Sequence, residues 1–106
     1  MVTIKDFEKL EIKIGEILSV EEVPDSDKLY VLQVDVGGKQ IQLVAGLKNY
    51  YQQSELVGKK IVVLSNLEPA VIRGVASEGM LLAAIDENTV SLLTPDKEVS
   101  VGSKVA

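Results

Sequence analysis

The sequence predicts an all-β domain built as a small five-stranded Greek-key barrel with short helices. Apolar and polar residues alternate with a period of two over the first long apolar stretch. Two further strand patterns follow across short turns, giving a three-strand meander. A helical segment then separates these from two more β-branched or apolar runs. The same pattern leaves another small barrel or a sandwich open.

The elements follow in chain order. Thr3 is placed as the N-cap of a short helix to about Lys9, with Asp6 at its positive end and Phe7 and Leu10 on one face. From Leu10 to Val20 the even positions are apolar except Glu16, and the odd ones are mostly polar, Ile17 excepted. This predicts a half-buried strand with its even face inward, and a bend or bulge at Gly15-Glu16. Val23-Pro24-Asp25-Ser26-Asp27 is a turn. Leu29–Val36 is the second strand, with Tyr30, Leu32, Val34 and Val36 on one face. Gly37-Gly38 makes a hairpin to the third strand, Gln40–Ala45. Leu47–Leu56 holds one short helix, ending before Gly58. Ile61–Leu64 is the fourth strand, Asn66–Ser77 a long irregular loop, and Met80–Ile85 the fifth strand, apolar on both faces. Glu87-Asn88 turns into a short strand, Val90–Leu93, and the remaining tail is turn-rich. A meander of three, a helix and two closing strands is the order of the OB-fold.

A chain of 106 residues fits one domain, and 46% apolar with 25% charged residues excludes gross disorder. With no cysteine and no histidine, the chain has no disulfide framework, thiolate nucleophile or imidazole base. The longest apolar stretch, Met80–Ile85, is far too short to span a bilayer. The N-terminus mixes charges among its apolar residues and matches neither a signal nor a transit peptide, so a cytoplasmic, non-membrane protein is expected. Met1 and the lack of a linker favour a complete free-standing chain.

No catalytic or metal-binding constellation emerges. Asp25-Ser26-Asp27 starts like a calcium loop, but Leu29 and Tyr30 stand where further ligands belong. Ser65, Ser77 and Thr94 have no histidine to activate them, and Gly37-Gly38-Lys39 lacks phosphate-loop spacing. The net charge of −5 is spread over both halves, so any polyanion site is a local patch on a repelling background. Candidate cations for an OB strand face are Lys13, pointing out of the first strand, then Lys28, Lys39, Lys48 and Arg73. With one Phe, three Tyr and no Trp, stacking platforms are few, which favours recognition of shape and backbone over stacked bases.

An ordered series of short motifs runs along the chain: Asp6-Phe7, Glu11-Ile12-Lys13-Ile14-Gly15, Asp27-Lys28-Leu29, Val34-Asp35-Val36-Gly37, Val44-Ala45-Gly46-Leu47. It continues with Leu56-Val57-Gly58-Lys59-Lys60, Asn66-Leu67-Glu68-Pro69, Arg73-Gly74, Ser77-Glu78-Gly79-Met80 and Leu92-Leu93-Thr94-Pro95. The series resembles the tRNA-binding domain at the C-terminus of methionyl-tRNA synthetases. Similar domains occur as free-standing homodimeric tRNA-binding proteins and in endothelial-monocyte-activating cytokine-like proteins. The resemblance covers roughly residues 5–105.

The resemblance implies an OB-fold that binds tRNA largely independently of sequence, at the outside corner of the L. It implies a barrel over about 1–85 and a dimerisation extension over 86–106, hence a homodimer, and no cofactor. The matching contact positions are Lys13, Lys28, Asn66, Arg73, Ser77 and Met80. Each also has a bland reading: a solvated lysine, an ion-paired arginine, a turn asparagine, or a serine and a methionine that pack the loop. The chain departs from the family at Ile41, where an arginine is common, and at Glu68 and Val71, where lysines are common. Fewer phosphate contacts imply weak binding. The implied role is non-catalytic, retaining tRNA for aminoacylation, free-standing or beside the catalytic subunit of methionyl-tRNA synthetase. The alternative is a homodimeric chaperone of the same barrel that binds unfolded peptides.

Overall fold

The computed structural model describes residues 1–106. A short helix α1 (Ile4–Glu8) is followed by β1 (Ile12–Glu22), β2 (Tyr30–Asp35), β3 (Gln40–Ala45), α2 (Gln53–Leu56) and β4 (Lys60–Leu64). Then come β5 (Ala70–Ile72), β6 (Val75–Ser77), β7 (Met80–Leu81), β8 (Ala83–Ile85) and β9 (Val90–Leu92). The main sheet is antiparallel in the order β3-β2-β1-β4-β7, and β5-β6 and β8-β9 are two-stranded hairpins. This is the expected five-stranded barrel. Neither helix is long enough to cross a membrane.

α1 forms because Thr3 and Asp6 cap it reciprocally: the Asp6 amide donates to Thr3 Oγ1, and the Thr3 amide to Asp6 Oδ2. It buries no side chain. Tyr30, Leu32, Val34 and Val36 all enter the main core, as alternation requires, together with Ile41, Leu43, Ile61 and Val63. The β2–β3 hairpin turns through Gly37 and Gly38, both at positive φ.

β1 uses its two faces differently from the expectation. In its first half the even residues Ile12 and Ile14 are buried outside the barrel, with Val62, under Val99 and Val105 of the C-terminal tail. The odd face looks into the barrel: a Cβ on Gly15 would point at Val34 Cγ1 and Val63 Cγ2, at 2.7 and 3.2 Å. Ile17 continues that face at 0% exposure, whereas Leu18 is 43% exposed. A register shift between Ile17 and Ser19 returns Val20 to the core opposite Leu32. The irregularity thus lies at Leu18, and Gly15 is required by close packing instead of bending.

Two later segments also differ. Residues 66–77, expected as an irregular loop, contain the β5–β6 hairpin, whose two-residue turn Arg73-Gly74 has positive φ at both positions. The expected fifth strand divides: β7 pairs with β4, and β8 pairs with β9, with the Leu82 amide donating to the Val62 carbonyl between them. The apolar run reads as continuous because both pieces bury part of their surface.

The barrel closes between β3 and β7 through side chains. The Val44 amide donates to Ser77 Oγ and the Gln42 amide to Glu78 Oε1, while the Glu78 amide donates to the Gln42 carbonyl. The exposed edge of β3 is thereby satisfied without a full strand partner. The tail continues the sheet along the free edge of β1. The Ile14 amide donates to the Ser103 carbonyl, the Gly102 amide to the Ile14 carbonyl and the Val105 amide to the Ile12 carbonyl. Gly37 and Gly102 lie against each other; a Cβ on Gly102 would come within 2.9 Å of Gly37 Cα.

Candidate nucleic-acid interface

The register distributes the chain's cations between two ends of the barrel. Glu22 pairs with Tyr30, so the Val23–Leu29 loop and Lys28 lie at the C-terminal end of β1. Lys13 lies at its N-terminal end, nine residues away, which in extended chain is about 30 Å. The two lysines are not neighbours.

Lys28 is exposed amid Glu21, Glu22, Asp25 and Asp27. Lys48 at the same end is engaged by Glu22 at 2.7 Å. The hydrogen bond that Lys48 donates to that carboxylate raises its pKa above the ordinary 10.5, against a smaller opposing effect of desolvation. Asp25 adopts φ 62 in this turn, and Ser26 Oγ accepts from the Lys28 and Leu29 amides. This end is acidic and organised by its own turn.

The other end is different. Lys13 is half-buried and shares the face of Gly15 and Ile17, so it looks toward the barrel side and not outward as alternation predicted. Its Cα partners are Val63 on β4 and Lys104 on the tail. The glycine hairpin preceding Lys39 packs on the tail at the same end through Gly37 and Gly102.

Asn66 is committed to the backbone. Its Oδ1 accepts from the Glu11 amide at 2.9 Å and its Nδ2 donates to the Lys9 carbonyl at 2.8 Å. It clamps the segment between α1 and β1 to the end of β4. Ser77 is buried, accepting from Val44 and donating to the Gly79 carbonyl at 3.1 Å. Met80 is 50% exposed and pairs with Leu64, itself paired with Ile12, so it lies two strands from the start of β1. Arg73 sits at the exposed tip of the β5–β6 hairpin and makes no ion pair. Of the departures noted in the sequence, Ile41 is a core residue at 4% exposure, while Glu68 and Val71 are on the surface.

Sequence reasoning missed an apolar groove of about 780 Å³ between the end of β3, the β5–β6 hairpin and the β7–β9 region. Leu47, Leu67, Ile72, Met80, Ile85 and Leu93 line it. Ile85 is 75% exposed there. Its signal in the sequence was the two-faced apolar run Met80–Ile85, too apolar for a strand with one wet face.

Five antiparallel strands with loops that cluster polar groups at the ends define the OB class of barrel, a scaffold whose strand face and flanking loops receive extended polymers. Within that class the chain belongs to the putative tRNA-binding domain family, whose model matches residues 12–104. It is 51% identical over 105 residues to the methionine–tRNA ligase of Nanoarchaeum equitans, covering 99% of this chain and 14% of that protein. It is 52% identical over 104 residues to that of Pyrococcus furiosus, covering 98% of this chain and 14% of the ligase. The chain therefore spans about a seventh of these relatives. Among solved structures, a MetRS-related protein from Pyrococcus horikoshii superposes with a TM-score of 0.93 at 34% identity, covering 100% of this chain and 98% of that one. The CsaA chaperone protein from Picrophilus torridus superposes with a TM-score of 0.92 at 35% identity, covering both chains fully.

Proposed function

We propose that this chain is a non-catalytic, largely sequence-independent tRNA-binding module that retains tRNA for a methionyl-tRNA synthetase in the cytoplasm. The observation that carries the reading is the barrel end at Lys13, where cations stand without the acidic turn that surrounds Lys28. Lys13, Arg73 and Met80 are the proposed direct contacts. Asn66 and Ser77 serve the site by holding backbone, and Lys28 contributes from the far end as a weakly effective cation. Raising the local concentration of tRNA near a catalytic subunit lowers the apparent KM and leaves the chemistry to the partner.

The apolar groove supports the homodimer. A second copy seated on Ile85, Leu93 and Met80 covers surface that a monomer leaves wet, and doubles the RNA sites by effective concentration. The same groove favours a second reading, a homodimeric chaperone that holds unfolded peptides. Filter binding of bulk tRNA beside capture of a denatured client separates them. The primary reading expects tRNA retention that Lys13→Ala and Arg73→Ala each weaken, with Lys28→Ala close to wild type. Client capture without tRNA retention would replace it.

A further inference from the structure

We infer that Lys104, on the C-terminal tail, joins Lys13 to form a two-lysine seat for one phosphodiester group of the bound RNA. This deepens the tRNA-binding reading and rests on it.

Lys13 and Lys104 are partners in an antiparallel β-bridge. Residues directly opposite in such a bridge project from the same face with Cβ atoms about 5 Å apart. Like charges so placed repel, and the protein does not neutralise them. The ion pairs of the fold join Lys9 to Asp6, Lys48 to Glu22 and Lys60 to Glu98, and none includes Lys13 or Lys104. Neither ammonium donates a hydrogen bond within the protein, although Lys13 is half-buried. Of the nearby carboxylates, Asp35 Oδ1 is taken by the Gly37 amide, and Glu16 stands opposite Lys60 on β4. Glu11, just before β1, pairs with neither lysine.

The pair is held in place from the backbone. The Ile14 amide donates to the Ser103 carbonyl at 2.9 Å, Gly102 donates to Ile14 at 2.7 Å, and Val105 donates to Ile12 at 2.9 Å. Lys104 thus lies between two bonded residues of the tail, and the close packing of Gly37 on Gly102 fixes that tail against the β2–β3 hairpin. Two ammonium groups on a rigid frame, with no internal counterion, match the two free oxygens of a phosphodiester, one to each Nζ. The anion relieves the repulsion, so the charge arrangement that costs stability in the free protein becomes favourable in the complex. The tail then has a direct part in binding RNA, through a residue the motif series did not single out.

The test is filter binding of bulk tRNA at several salt concentrations, using wild type, Lys13→Ala, Lys104→Ala, the double variant and Lys97→Ala. Lys97 is another exposed lysine of the tail region and serves as the control. The expectation is a loss of about 10-fold for each single variant, the lower end of the scale of one hydrogen bond to a charged group. The salt slope falls by about 0.7–0.9 in the double variant, which gives up the one phosphate contact, and by less in each single variant. Because both lysines serve one phosphate, the double variant loses less than the product of the single losses, while Lys97→Ala stays at wild type. Unchanged protection of the Ile14 amide from hydrogen exchange in Lys104→Ala shows that the tail is still docked. If Lys104→Ala binds tRNA with wild-type affinity and slope, the seat is overturned while the tRNA reading stands. If wild type retains no tRNA, the reading itself fails and takes the seat with it.

Discussion

Asn66 shows how a residue of a recurring motif can be spent on the backbone of the fold. Both ends of its amide are spent on Lys9 and Glu11, partners more than fifty positions back in the chain. Its place in a recurring motif was legible in the sequence; the clamp was not, because nothing local reveals a partner that distant. Asn66→Ala is expected to lower stability by about 1 kcal/mol, the scale of an exposed hydrogen-bond pair, as measured by denaturant unfolding. Glu98 gives a second residue-scale test. Lys60 donates to its carboxylate and to the Val99 carbonyl, tying the tail to β4. The hydrogen bond from Lys60, and then the lysine's charge, hold the Glu98 pKa below the ordinary 4.5. A carboxyl with a depressed folded pKa stabilises the fold above its unfolded pKa, and that contribution is lost as pH falls through the lowered value. Thermal melts of wild type and Glu98→Gln are therefore expected to differ at neutral pH and to converge well below pH 4.5.

At the scale of elements, β1 is the instructive case. Its period-two pattern correctly identified a long strand, but the inward face was assigned by counting apolar residues on each side. That count is misleading because the strand buries both faces in its first half, one in the barrel and one under the tail. The tail's contribution was hidden, since Val99 and Val105 are isolated among turn residues. The bulge at Leu18 then changes the phase again. The consequence is testable: Ile17→Ala is expected to cost about 2–5 kcal/mol as a core truncation, and Leu18→Ala within about 0.5 kcal/mol as a surface change. Equilibrium unfolding of the two variants distinguishes this register from the simple alternation, which predicts the reverse. β2 and β3 were read to within a residue because each has one wet face and glycines set their turn. The β5–β6 hairpin escaped notice because its strands are three residues long and its turn uses Arg73 at φ 53, a conformation glycine or asparagine usually supplies.

For the whole molecule the governing quantity is where the charge lies. A net charge of −5 opposes RNA, yet Glu21, Glu22, Asp25 and Asp27 gather around Lys28 at the Val23–Leu29 end, while the opposite end carries Lys13, Lys39 and Lys104 without an ion-pair partner. The topology produces this separation: β1 runs the full height of the barrel, and the tail returns to its starting end. Composition could not disclose it, since both halves of the sequence are acidic. The apolar groove, likewise, is assembled from segments far apart in the chain and becomes visible only when the barrel closes through Ser77 and Glu78. The most direct measurement is amide chemical-shift mapping of isotopically labelled protein on addition of tRNA. The account predicts perturbations at Lys13, Arg73, Met80, Gly37–Lys39 and Gly102–Lys104. Shifts confined to residues 23–28, or an unchanged spectrum at low salt, would contradict it.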